Sequence, residues 1–220
     1  MNAYKITTSD QTKVTVTRTT AESAINVTVE APWLDKQIQP RAGVWQTGIK
    51  FLNHMIQLIC RRGGMNIDAA YKCQLESTYC QHVVWEDVGL VFGAALNELL
   101  TNRRKAGVEG AGEGVACIDE ALTRCYLSFE GRSGCYLNIA DSDASQRELV
   151  EDAKCQDVRQ FFEGFTQGAR CTLQLELGPA MDTHHLWESA FRAFGEALRA
   201  SLQANPWRKG VIVGVKDTKD

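Results

Sequence analysis

The chain reads as an α+β protein made of two similar halves, each a mixed β-sheet with helices packed on one face. Three observations predict this. Short runs alternate polar and apolar residues at the period of a strand, longer runs set apolar residues three and four apart as a helix does, and one helical stretch occurs twice. His82-Val83-Val84-Trp85-Glu86 runs on to Phe92-Gly93 and Ala95-Leu96. His184-His185-Leu186-Trp187-Glu188 runs on to Phe194-Gly195 and Ala197-Leu198. Each matched pair lies 102 positions apart (184 minus 82) without a gap, a register that points to internal duplication.

Taken in order, residues 13–17 and 24–29 alternate cleanly and predict two strands joined near 18–22. Residues 32–41 are a loop. A helix is expected over 48–61, with Phe51, Leu52, Met55, Ile56 and Ile59 inward and Gly63-Gly64 as its stop. A strand at 65–73 leads to the first His-x-x-x-Glu helix. Four glycines within 107–114 separate the halves, placing the boundary between 1–106 and 107–220. Strands at 125–129 and 135–139, a helix at 156–169 carrying Phe161, Phe162 and Phe165, a strand at 172–177 and the second His-x-x-x-Glu helix complete the order. Trp85 and Trp187, at matching positions, are expected in the core.

With 220 residues, 44% of them apolar, the chain can bury a large shared core. The net charge of −3 and the lack of any basic run beyond Arg103-Arg104-Lys105, expected as a solvated loop, argue against nucleic acid as a partner. Eight cysteines without a Cys-x-x-Cys pair predict reduced, mostly buried thiols. The start of the chain lacks an apolar signal region, and no apolar stretch reaches about eighteen residues. These features predict a soluble protein of the cytoplasm or of an organellar matrix, with no membrane partner.

The repeat carries chemistry as well as fold. His and Glu four apart stand on one helix face, where an imidazole and a carboxylate chelate a divalent ion such as Mn, Zn or Fe. One such pair alone is most often a surface i,i+4 contact. Here two pairs stand at a fixed offset, and they hold three of the four histidines, the fourth being His54. His185 lies about 100° further round the helix than His184. One helix can thus serve two metals.

The pieces Arg18-Thr19-Thr20-Ala21-Glu22-Ser23, Thr47-Gly48-Ile49-Lys50-Phe51-Leu52-Asn53-His54-Met55, Glu86-Asp87-Val88-Gly89, Asp119-Glu120-Ala121-Leu122, Gly131-Arg132 and His184-His185-x-x-Glu188-Ser189-x-Phe191-Arg192-Ala193 follow one another in a telling order. With them the chain resembles the imidazoleglycerol-phosphate dehydratase family from about residue 12 to residue 216. The resemblance implies a duplicated α+β half-domain and self-association into a hollow shell of 24 subunits. It also implies two Mn ions per active site, bound by residues of neighbouring subunits. The implied reaction removes water from imidazole glycerol phosphate to give imidazole acetol phosphate, with a glutamate in proton transfer.

Carried over by position, one metal draws on His54, Val83, His184 and Glu188, and the other on His82, Glu86, Gln160 and His185. Val83 and Gln160 stand where the family has histidine, so each site has lost one ligand. Glu22 matches the proton-transfer glutamate, while Arg132 and Lys216 match two phosphate-binding residues. Gly110, Gly214 and Asn53 replace an arginine, a serine and an aspartate of the family motifs. A phosphate arginine is worth roughly 2–5 kcal/mol where the partner charge is buried. Two readings therefore stand open: a divergent dehydratase with thinned metal and phosphate sites, or a catalytically silent member with a structural or regulatory role. A paralogous subunit that supplies the missing imidazoles is a partner consistent with either.

Overall fold

In the computed structural model, which describes residues 4–75 and 79–214, the alternating runs of the first half form a five-stranded sheet. Strands β1 (Tyr4–Ser9), β2 (Lys13–Thr19), β3 (Ser23–Glu30), β4 (Trp45–Gln46) and β5 (Asn66–Cys73) lie in the order β1-β2-β3-β5-β4. β2, β3 and β5 pair antiparallel, and the short β4 runs parallel to β5 at the edge. The second half follows the same plan with β6 (Ala111–Ile118), β7 (Ala121–Ser128) and β8 (Gly134–Ile139). A two-stranded hairpin, β9 (Leu149–Val150) and β10 (Ala153–Lys154), then precedes β11 (Thr172–Leu177). The four long strands order as β6-β7-β11-β8, antiparallel except for the β11–β8 pair.

Burial follows the alternation. Val14 and Val16 of β2, Ile25, Val27 and Val29 of β3, and Leu173, Leu175 and Leu177 of β11 face inward. Helices α1 (Lys50–Gly63) and α2 (Gln81–Arg104) cover the inner face of the first sheet, while α3 (Cys155–Ala169) and α4 (Thr183–Ser201) cover that of the second. The two helix layers meet, α1 on α4 and α2 on α3. Trp85 and Trp187 are both in the core. Phe161, Phe162, Phe165, Phe191 and Phe194 fill the space around the crossings, each burial contributing roughly 1.5–3 kcal/mol.

The Phe-Gly of each repeat copy is what lets the layers approach. A Cβ on Gly93 would lie 2.2 Å from the Phe165 carbonyl oxygen, and one on Gly195 would lie 2.9 Å from Arg62 Cβ and 3.2 Å from the Ile59 carbonyl oxygen. Matched positions thus do matched work, Gly93 joining α2 to α3 and Gly195 joining α4 to α1. Position 87 and its counterpart 189 behave alike. Ser23 of β3 donates to Asp87 at 2.7 Å, and Thr123 of β7 shares a 2.7 Å hydrogen bond with Ser189.

Three expectations need correction. The glycine-rich stretch is more than a separator, because residues 111–114 begin β6, with Gly112 and Gly114 directly beneath the backbone of α4. The thiols are free but less deeply placed than expected. Cys125 and Cys171 are buried, Cys80 and Cys117 exposed, and the other four intermediate. The basic triplet is not a solvated loop either. Arg103, on the last turn of α2, is 1% exposed and donates to the backbone oxygens of Gln11, Ala31, Pro32 and Leu202, with its guanidinium 4.6 Å from the Trp33 ring centroid. Burial pushes its pKa down to about 10, with Asp10 opposing.

Arg103 therefore ties the N-terminal hairpin, the segment after β3 and the end of α4 to one point. Arg103→Ala should lower the unfolding free energy by about 3–5 kcal/mol, because it strands several buried carbonyls, and Arg103→Lys should recover only part of that loss. Urea unfolding of the three proteins measures it; a loss below about 1 kcal/mol would show that water replaces the guanidinium without cost.

Candidate metal centre

His54 stands on the second turn of α1, whose N-terminus is set from two directions. Thr47 donates to the Asn53 side-chain oxygen at 2.8 Å, and its own hydroxyl accepts from the Ile49 N–H at 3.2 Å. From the β9–β10 turn, the Asp152 carboxylate accepts from the N–H groups of Lys50 and Phe51 at 2.8 and 2.9 Å. It serves as the N-cap that Ile49 cannot provide. His184 and Glu188 lie on the first turns of α4, where the Asp182 carboxylate accepts from the His184 N–H at 2.7 Å. Because α1 crosses α4 at Gly195, the two helices bring these three side chains together.

The ligand atoms of His54, His184 and Glu188 all lie within 4.8 Å of one another. Glu188 Oε2 is 3.0 Å from His184 Nε2 and 3.5 Å from His54 Nε2. Its other oxygen accepts two bonds from the Arg192 guanidinium, through Nε at 2.9 Å and through Nη2. Burial of Glu188 opposes ionisation, but the hydrogen bond and charge of Arg192 outweigh it, with His54 and His184 adding to the effect. The carboxyl is held below its ordinary range. The site therefore presents a buried carboxylate with one oxygen committed to an arginine and the other facing two imidazoles. Two nitrogens and one oxygen converging in this way are a donor set suited to a first-row divalent ion, with coordination positions left for other ligands.

The remaining predicted residues are placed apart. His185 points away from His184, their rings 6.3 Å apart and nearly perpendicular. Its Nδ1 is 3.0 Å from Glu120 Oε2 and its Nε2 is 3.5 Å from Asp119 Oδ2. His82 and Glu86 lie on the opening turns of α2, where no hydrogen bond or ion pair engages their side chains among the described residues. No second group of three potential ligands forms among the described residues. Val83 is half-buried on the same turn, and Gln160 lies on a cleft of about 710 Å³ beside Arg159 and Lys154. Glu22 is exposed in the β2–β3 turn, its backbone oxygen accepting from the Gln74 N–H at 2.8 Å. Arg132 is exposed in the loop before β8. Lys216 lies outside the described residues.

Comparison with known proteins decides the family. The family model for imidazoleglycerol-phosphate dehydratase matches residues 47–198, a span that contains the whole cluster. The imidazoleglycerol-phosphate dehydratase of Methylococcus capsulatus is 31% identical over 201 residues, covering 91% of this chain and 95% of its own. That of Bordetella petrii is 32% identical over 201 residues, covering 91% and 96%. This chain belongs to the imidazoleglycerol-phosphate dehydratase family. The crystal structure of the Staphylococcus aureus enzyme superposes with a TM-score of 0.70 at 27% identity, over 88% of this chain and 99% of that one. The Pyrococcus furiosus enzyme, solved in complex with (S)-C348, matches in fold with a TM-score of 0.73 at 22% identity, over 91% and 98%. The family places the chain among lyases of histidine biosynthesis. The α+β class with paired mixed sheets is likewise that of these structures.

Several residues around the cluster were given no role by the sequence, although Asp119, Glu120 and Arg192 fall within the motifs quoted above. Arg192 stands four residues after Glu188, and that spacing was a usable sign of an ion pair. Glu120 and Asp119, in the β6–β7 turn, and Glu151, in the β9–β10 turn, reach the histidines only through tertiary packing, and no local spacing marks them.

The His185–Glu120 pair has a defined pH window. The Asp182 N–H, with further help from the Glu120 N–H and His185, draws the Glu120 carboxyl down to about 2. The hydrogen bond to Glu120, against some burial and with the charges of Glu120, Asp182 and Asp119, raises the His185 imidazole. The Glu120 contribution is complete above its ordinary value of 4.5 and fades as pH falls toward about 2. The His185 contribution is complete below its ordinary value of 6.5 and is lost as pH rises through the higher folded value. The pair is thus strongest between these two ordinary values. Melting temperatures of the parent and Glu120→Gln, taken from about pH 3 to about pH 8, should differ most inside that window. A constant difference across the range would mean that the pair does not titrate as a unit.

Proposed function

We propose that the chain is a divergent, metal-dependent carbon–oxygen lyase acting on imidazole glycerol phosphate or a relative with altered polar groups. The observation that carries this reading is the convergence of His54, His184 and Glu188 within 4.8 Å across the α1–α4 crossing. These three hold one divalent ion, Mn2+ in the family pattern with Zn2+ or Fe2+ as alternatives. His82, Glu86 and His185 contribute to a second ion site that neighbouring copies complete in a symmetric oligomer, 24-fold by resemblance. A bound divalent ion supplies Lewis acidity toward an imidazole ring. Within the chain, Arg192 keeps Glu188 ionised and oriented, and Asp152 fixes the start of α1 and with it His54. Glu22 is the group assigned to proton transfer, while Arg132 and Lys216 are assigned to the phosphate.

One set of observations favours the second reading, a silent member with a structural or regulatory role. Gly110, at the family's arginine position, has φ +67°, and a Cβ there would lie 2.3 Å from Val213 Cγ2. An arginine there would need the Val213 side chain to shift and would take on a left-handed backbone that disfavours any residue with a Cβ. Beside it, Glu109 pairs with Arg208 at 3.4 Å. A Cβ on Gly214 would lie 3.2 Å from a Glu130 carboxylate oxygen, so an acid stands beside the position that the pattern gives to serine. These features support weakened phosphate recognition alongside a retained metal centre.

The decisive measurement is bound Mn, Zn and Fe per chain after purification without chelator, together with an assay for imidazole acetol phosphate. Metal binding is expected, and Glu188→Ala should weaken it by at least about 10-fold, since losing a ligand costs no less than losing its outer-shell partner. No binding under saturating Mn2+ would sink the lyase reading. Binding without turnover would favour a different substrate or the silent role. If bound metal also holds the copies together, His184→Ala and Glu188→Ala should form smaller particles than the parent, and particles of the parental size would rule out that assembly role.

A further inference from the structure

Glu151 occupies the turn between β9 and β10 with φ +49°, a left-handed conformation that glycine adopts freely and a residue with a Cβ adopts at a steric cost. Its side chain is 57% exposed, so core packing does not hold it there. What it does reach is His184, whose Nδ1 lies 2.9 Å from Glu151 Oε1. The other nitrogen of the same ring, Nε2, faces Glu188 and belongs to the three-residue cluster. In the Nδ1–H tautomer this contact is a hydrogen bond donated to Glu151, which leaves the Nε2 lone pair directed into the cluster.

We infer that Glu151 is a positioning residue of the metal centre, fixing the His184 ring so that Nε2 is the nitrogen offered to a divalent cation. This rests on the metal-centre reading above. The arrangement is that of a carboxylate–histidine–metal triad, in which the outer carboxylate sets the tautomer and orientation of the ligand and raises its basicity. A second observation supports it from the other helix. Asp152, the next residue of the same turn, holds the N-terminus of α1 through the Lys50 and Phe51 N–H groups. The Phe51 ring in turn packs edge-on against His184 with centroids 5.4 Å apart. Two adjacent acidic residues of one turn therefore index both helices that supply ligands, Asp152 through the backbone of α1 and Glu151 through the imidazole of α4. The left-handed backbone of Glu151 is what the two-residue β9–β10 hairpin needs at its first loop position, and it is this turn that carries the side chain to His184.

The test compares the full-length parent with Glu151→Gly and Glu151→Gln. The readouts are the Mn2+ dissociation constant by calorimetric titration, the visible spectrum of the Co2+ form, and the melting temperature without metal. Glu151→Gly should weaken Mn2+ binding about 10–100-fold and change the Co2+ spectrum, while its metal-free melting temperature holds or rises because the backbone strain is gone. Glu151→Gln keeps an acceptor without the charge and should fall between the two. Equal affinity of parent and Glu151→Gly overturns the assignment while leaving the metal centre standing. A fall in metal-free melting temperature that accounts for the affinity loss overturns it too, since the role would then be structural. A parent that binds no Mn2+ overturns both this assignment and the metal-centre reading.

Discussion

The contact on which the rest of the molecule depends is the close crossing of helices from opposite halves. Without a side chain at Gly195, α4 can settle on the Ile59–Gly63 turn of α1, and Gly93 does the same for α2 on α3. Each sheet buries only one face, and each helix layer would expose a broad apolar surface without its counterpart. The crossings close that surface into one core with a row of phenylalanines between the layers. They also create the site, because His54 comes from one half while His184 and Glu188 come from the other. An added methyl group at Gly195 would push α1 outward and move His54 away from the two ligands that remain on α4. Fold stability and ligand geometry thus rest on one steric condition.

Much of this was legible in the sequence. The alternation at 13–17, 24–29 and 172–177 gave true strands, the helix expected at 48–61 runs from Lys50 to Gly63, and the repeat marked α2 and α4 with their inward tryptophans. These signals are local, since periodicity and turn residues lie within a dozen positions of each other. What stayed hidden has partners far along the chain. Arg103 looks like part of a charged tail until four backbone oxygens, from residues 11, 31, 32 and 202, are folded around it. The two-residue strands β4, β9 and β10 are too short to show a period. The glycines of β6 read as a linker because their use, a close approach by α4, leaves no trace in the local pattern.

The same divide runs through the site. His54, His184 and Glu188 were identifiable because histidine is scarce and the motif is repeated, yet the residues that make them a centre were not. Glu151 faces the far nitrogen of His184 and Asp152 anchors α1, both from the distant β9–β10 turn, whereas Arg192, which holds one carboxylate oxygen, stood inside the motif and showed only as an i,i+4 spacing. A ligand pair on an amphipathic helix is common, and orientation by surrounding charges is what separates a chelating geometry from a surface contact.

The residues assigned to metal and those assigned to phosphate differ in where they are built. The three clustered ligands sit on helices fixed by the crossings, with Glu188 buried and His54 and His184 partly exposed at the helix ends. The positions assigned to phosphate that the structure describes, Gly110, Arg132 and Gly214, lie outside the helices. His82 and Glu86 stand between these extremes. They lie on a helix but at its opening turns, where His82 is exposed and Glu86 and Val83 are half-buried.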